Sequence, residues 1–257
     1  MPRFGVGRRI LKTFKTHAKL SASGSERWLS CPGSVILSDG LPDTESDAAK
    51  EGTLAHECLE FLLKNRAHPL SKLKRILDKK NCYPPEMLSY VLDSRNEILR
   101  HLMPEHIFLC ETKIDLTFVG PGMFGTIDAA IIALGNTLKV FDFKYGKGKA
   151  VEVENNTQLI YYALGIAHQY AYKFKQVELV ILQPRAKLRG QWIRGQKIPM
   201  DRFKTWIPKF KRGVEETLNP WADLNAGPWC WFCKAKWKCP ITRDKQLEND
   251  FNDMSDF

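Results

Sequence analysis

Two β-rich runs, GTIDAAIIAL at 125–134 and TLKVFDFK at 137–144, flank Gly135-Asn136, and each carries one aspartate among apolar neighbours. The glycine–asparagine pair between such runs is a hairpin signal. Asp128 lies inside the first run, where a carboxylate is costly unless it is paired or holds a metal. In the second run Asp142 and Lys144 are two apart and share one face, while Phe141 and Phe143 point to the other, into a core. Alone, an aspartate and a lysine in that arrangement also read as a surface ion pair worth less than about 1 kcal/mol. The acid across the hairpin argues for more. Both aspartates share a face only if the connecting loop has an odd number of residues. A three-residue loop, Leu134-Gly135-Asn136, meets that condition, and Gly or Asn tolerates the left-handed position it needs. A two-residue turn would put the acids on opposite faces, so the odd loop is expected. Two converging carboxylates and a backbone carbonyl suit Mg²⁺ or Mn²⁺. With Lys144 alongside to orient water and balance phosphate charge, the parts are those of a metal-assisted phosphodiester hydrolase.

The rest of the chain places this hairpin in an α/β setting. Ser23 and Glu26 have capping-box spacing, which predicts a short helix to about Cys31. Residues 33–47 read as loop. His56, Leu59 and Leu63 share one face of a helix predicted over 48–65, and further helices are expected at 70–79 and 85–103. Strands are expected at 107–118 and 176–183, with the segment around Trp192 as a possible further strand. Helices are expected at 156–172 and 200–218, the second kinked by Pro208. A helix, three antiparallel strands, a helix and a strand imply a mixed sheet flanked by helices.

The 257 residues carry 39 Lys and Arg against 29 Asp and Glu, a net charge of +10. Such an excess favours a polyanion, because basic side chains displace the counterions condensed on nucleic acid. Ten basic residues between Arg185 and Arg212 face only Asp201, with Trp192 and Trp206 interleaved. Basic residues grip phosphate and aromatics stack on unpaired bases; a solvated basic face with core tryptophans is the competing reading. No helix-turn-helix pattern is evident, so contacts to the backbone of single strands or duplex ends are expected, with little sequence specificity. Residues 1–20 are basic without an acid and read as a flexible tail or a transit peptide; 241–257 read as an acidic tail. No apolar run approaches the roughly 18 residues of a spanning helix, so no membrane is expected. Seven cysteines in a chain of this size, with no apolar leader, point to a reducing, cytoplasmic compartment rather than a disulfide framework. Three of them form C-x2-C-x5-C-P (Cys230, Cys233, Cys239). Metal ligation suits that spacing, but a fourth ligand must come from far away in sequence.

G-T-I-D (125–128), D-F-K (142–144), Q-L-x-x-Y (158–162) and, upstream, GTLAH (52–56) together resemble the RecB-type branch of the PD-(D/E)XK nuclease superfamily over about residues 21–240. The chain is also similar to phage-borne proteins once catalogued only as a domain of unknown function. The resemblance implies a restriction-endonuclease-like core. It implies metal ligation by His56, Asp128, Asp142 and the main chain of Phe143, with Lys144 as catalytic lysine. Gln158 and Tyr162 would line the DNA path, and Glu111 would take a supporting role. Cys31-Pro32 resembles the early cysteine of a subset of RecB-like nucleases, in which one early and three late cysteines hold a [4Fe–4S] cluster. Zinc in the same four thiolates is the rival reading, and Trp229, Trp231 and Trp237 would shield the group. The implied activity is a DNA exonuclease of recombination or repair, with a recombination or helicase protein as a possible partner. The alternative is a non-catalytic DNA-binding subunit stapled by the same cysteines.

Overall fold

The computed structural model describes residues 18–42, 46–66, Leu73, Leu77 and 84–242. Most of the expected tails (1–20 and 241–257), Cys82 and most of the expected 70–79 helix lie outside the described residues; Leu73 and Leu77 are helical and buried.

Five strands form one mixed sheet in sequence order: β1 (Ile107–Asp115), β2 (Phe124–Ala133), β3 (Thr137–Phe143), β4 (Gln176–Leu182) and β5 (Ile193–Pro199). All neighbours are antiparallel except β3 and β4, which are parallel. A parallel pair needs a crossover, and the helix Thr157–Gln169 supplies it. In chain order the helices are α1 (Ser25–Ser30), α2 (Gly33–Leu37), α3 (Asp47–Lys64), α4 (Met87–Arg100), α5 (Thr157–Gln169), α6 (Met200–Lys204) and α7 (Trp206–Leu218), followed by a 3₁₀ turn at Pro228–Phe232. The mixed sheet flanked by helices is the α/β class expected.

Each face of the sheet has its own core. On one face Leu138, Val140, Leu179 and Ile181 pack with α5 and with Trp28, Phe203 and Phe210 of α1, α6 and α7. On the other, Phe141, Phe143, Val180 and Leu182 pack with Leu59, Leu62 and Leu63 of α3 and with Met87, Val91 and Ile98 of α4. Odd and even residues of β3 and β4 thus divide between the two cores, as a strand pleat requires.

Several local expectations shift. The capping box is not formed: α1 starts at Ser25 behind Gly24, without a side-chain cap. Residues 33–37, read as loop, are the helix α2, whose Ser34 and Val35 are buried. The long helix expected over 200–218 is two helices broken at Thr205. Pro208 lies in the first turn of the second, where its missing N–H and its ring disrupt bonding to the carbonyl four residues back. Ala18 and Leu20, placed in the basic tail by composition, are buried, and the Leu20 carbonyl accepts from Tyr161 Oη. Among the described residues, no helix is long and apolar enough to cross a membrane.

Candidate functional site

The hairpin decides the geometry. The last β2–β3 pair before the turn is Ala133↔Thr137, leaving the three-residue loop 134–136, and Gly135 takes the left-handed conformation at φ +74°. The register sets Asp128 across from Asp142, one step beyond the pair Ala129↔Phe141 where the ladder ends. At that step a side chain replaces the ladder: Asp128 Oδ2 accepts the Phe143 amide at 2.7 Å.

A second irregularity lies on the other side of Asp128. β1 and β2 pair on either side of Glu111 and Asp128, through Cys110↔Ala129 and Thr112↔Ile127, but not at those two residues. Glu111 has a left-handed backbone, φ +46°, which is uncommon for a non-glycine residue. The alternation slips here: Ile127 and Ala130, three apart, face the same core, as do Leu109 and Ile114, five apart. The slip brings Glu111, Asp128 and His56 of α3 together, with one ligand atom from each within 4.8 Å of the others. It is the only such group of His, Cys, Asp and Glu among the described residues. The resemblance implies only a supporting role for Glu111; the backbone slip, invisible to periodicity, makes it a member of the group.

Asp142 and Lys144 alternate with Phe141 and Phe143 and lie on the α5 side. Lys144 Nζ is 3.0 Å from Asp142 Oδ2 and donates to Gln158 Oε1 at 2.7 Å. Gln158 Nε2 in turn donates to Tyr162 Oη at 3.4 Å. Tyr162 packs so closely on β2 that a Cβ at Gly125 would stand 2.7 Å from its ring. Only glycine fits at that point, a reason for the first letter of G-T-I-D that the sequence could not supply. Of the six sequence-derived side chains, His56 and Asp128 join Glu111 in the ligand group. Asp142, Lys144, Gln158 and Tyr162 form a linked chain beside it, and Asp142 is not a member of the group. The main chain of Phe143 gives its amide to Asp128.

Electrostatics divide the two acids. Burial raises the Asp142 pKa, Lys144 opposes that and the Asp128 charge adds to it; the outcome is upward. Asp128 is half-buried, and His56, the Phe143 amide and Lys144 outweigh the effect of burial and hold it below the usual carboxylate value. Asp142 Oδ2 is buried with the Lys144 ammonium beside it but no aligned hydrogen bond. A buried, incompletely bonded carboxylate oxygen next to a His–Glu–Asp group fits a hard divalent cation, which prefers oxygen ligands.

Cys31, Cys230, Cys233 and Cys239 line one cavity, with Arg27, Leu37 and Trp229 among its other walls. The main-chain amide of Asn225 points at Cys31 Sγ, 3.3 Å away, and the Gly33 amide donates to the Asp223 carbonyl at 2.9 Å. These bonds tie α1 and α2 to the C-terminal segment. No three of the four sulfurs are gathered as closely as the ligand atoms of the His–Glu–Asp group. Trp229 lines it as expected, whereas Trp237 is 67% exposed and shields nothing. The basic stretch also divides: Arg194 is buried, Arg185 pairs with Glu51 at 2.7 Å, and Trp192 and Trp206 pack against the two cores.

Burial works against charge on His56, but Asp128, 3.1 Å away, and Asp142 more than offset it, so the imidazole pKa is raised above the ordinary 6.5. In metal-free protein, the NMR titration midpoint of His56 is expected above 6.5, with the imidazolium lost as pH rises through it. Asp128→Asn should move that midpoint down, because burial then acts with less opposition. An unmoved midpoint would mean that the pair does not exist.

Among solved structures, the fold is similar to that of a candidate exonuclease from Eubacterium rectale, at 11% identity over 87% of this chain and 86% of that one, with a TM-score of 0.47. It is also similar to the protein SSO0001, at 12% identity over 85% of this chain and 96% of that one, with a TM-score of 0.35. Likenesses this distant carry no argument about activity. Residues 17–256 match the family model described as "Protein of unknown function (DUF2800)", and the chain belongs to that family.

Proposed function

We propose that the protein is a divalent-metal-dependent DNA exonuclease of the RecB-like branch, acting in recombination, repair or processing of phage or bacterial DNA. One observation carries the reading: half-buried Asp128 groups with His56 and Glu111, and at the opposed position of the next strand buried Asp142 pairs with Lys144. Uncompensated, such a pair of carboxylates is strongly unfavourable. His56, Asp128 and Asp142 would hold Mg²⁺ or Mn²⁺, with Glu111 completing or supporting the set. When bound, the ion supplies Lewis acidity toward a phosphoryl oxygen and lowers the pKa of a coordinated water.

The chain's own groups do the rest. Gln158 holds the Lys144 ammonium beside Asp142, where negative charge would develop on the phosphoryl oxygens, so the lysine is preorganised for charge stabilisation. Tyr162 anchors Gln158 in turn. Hydrolysis adds a water oxygen to phosphorus and releases the bridging oxygen with a proton. The four cysteines support a further part of the proposal, a structural [4Fe–4S] cluster that joins α1–α2 to the C-terminal segment. Thiolate ligation suits such a cluster, and zinc in the same four thiolates is the rival reading.

With 5′- and 3′-labelled single- and double-stranded DNA and Mn²⁺, wild-type protein should degrade at least one substrate. Asp142→Ala and Lys144→Ala should each lower the rate by about a hundredfold or more, in the range of lost electrostatic catalysis, while DNA affinity stays nearly unchanged. Equal cleavage by wild type and both variants would reject the site. Intact binding without metal-dependent cleavage in any of the three would favour a non-catalytic DNA-binding subunit. Anaerobically purified protein should be brown and contain iron and acid-labile sulfide, both lost in Cys31→Ala. Colourless protein loaded with zinc would overturn the cluster.

A further inference from the structure

β3 runs through Lys144 and Tyr145 into an exposed segment, Gly146-Lys147-Gly148-Lys149. This segment has no regular secondary structure, yet it is fixed from behind by one buried side chain. Gln183, 2% exposed at the end of β4, donates from Nε2 to the carbonyls of Gly146 (3.3 Å) and Lys149 (3.2 Å). Its Oε1 accepts from the Val151 amide at 2.9 Å and from Arg194 Nη2 at 2.5 Å. Arg194, itself buried, donates from Nε to the Val151 carbonyl at 2.8 Å, and its Nη1 reaches the carbonyls of Gln191 (3.0 Å) and Ala186 (3.3 Å). A buried guanidinium that donates to three carbonyls and an amide oxygen is using its donor fork to fix backbone.

The glycines point to a ligand. A Cβ at Gly146 or Gly148 would meet nothing within 4 Å, and neither residue takes the left-handed conformation. Neither the turn nor the packing therefore demands glycine. What glycine permits at such a place is close approach of a ligand to the backbone. Lys147 and Lys149 are both exposed on the same short segment, which begins two residues beyond the lysine paired with Asp142.

We propose that residues 146–149 are a phosphate-gripping lip of the site, taking the backbone of the substrate strand, with Gln183 and Arg194 as the positioning residues that hold it. This deepens the nuclease reading and rests on it for the substrate. The glycine backbone and the two ammonium groups meet successive phosphates, while the clasp behind them keeps the lip from collapsing onto the sheet. Rigid backing matters because a loop ordered in advance loses less entropy on binding.

The test is fluorescence anisotropy with labelled single-stranded DNA across a salt series, using full-length protein. Lys147→Ala/Lys149→Ala should weaken binding about tenfold or more, and the log–log salt slope should fall by roughly 0.7 per lysine removed. Gly148→Val should weaken binding with the salt slope little changed, since no charge is lost. Gln183→Met should reproduce the double-lysine phenotype in part, including the lower slope, which mere destabilisation would not move. If Gln183→Met fails to fold, the lysine and glycine variants still decide. Wild-type affinity and slope in the lysine variant would overturn the proposal, whether or not the protein cleaves DNA. Conversely, lost affinity in the lysine variant together with no cleavage by wild type would leave the lip standing and remove the nuclease reading.

Discussion

Two carboxylates facing each other inside a sheet repel, and burial makes that repulsion hard to screen. Asp128 and Asp142 stand at opposed positions of neighbouring strands, Asp142 buried and Asp128 half-buried, and the surrounding structure answers their charge with positive charge and hydrogen-bond donors. His56 comes from the helix on one face of the sheet. The amide of Phe143 comes from within the strand itself. Lys144 follows directly on the strand that carries Asp142 and is held by Gln158 of the crossover helix. What remains is an imbalance: Asp142 keeps an oxygen without an aligned hydrogen bond, and its pKa is driven upward. A bound divalent cation would discharge that imbalance.

The backbone is shaped around the same need. The β2–β3 ladder ends where the acids begin, and the β1–β2 alternation slips at Glu111 and Asp128. A regular pleat would send Glu111 and Asp128 to faces set by strict alternation. The slip, at the cost of a left-handed glutamate, gathers them with His56. Backbone strain of order 1–3 kcal/mol persists only when the surroundings enforce it, and the packing of both cores against this level does so. The cysteine cavity acts at longer range, tying the first helices to the last described segment, nearly 200 residues on, without touching the acid cluster.

Much of this was legible in the residues. The odd-length hairpin followed from parity and from Gly135 alone. Asp142 and Lys144 were readable because a two-residue spacing on a strand gives a shared face; His56, Gln158 and Tyr162 were singled out by the resemblance, with which their helical spacing is compatible. Glu111 was only half legible, since alternation reports regular pleats and is silent where a bulge-like slip occurs. Gln183 was not legible at all: a glutamine at a strand end has no pattern, and its meaning lies in carbonyls more than thirty residues earlier. The tryptophans misled in both directions. Trp192 and Trp206, set among basic residues, pack inward, whereas Trp237, set among cysteines, faces outward. Composition reports which residues are neighbours in sequence and not which way a ring turns.

The most direct measurement of the central claim is an anomalous difference map from crystals grown with Mn²⁺. The claim requires a peak within coordinating distance of His56 and Asp128 and of at least one of Asp142 and Glu111. Well-ordered crystals with Mn²⁺ bound elsewhere and none between those side chains would contradict it.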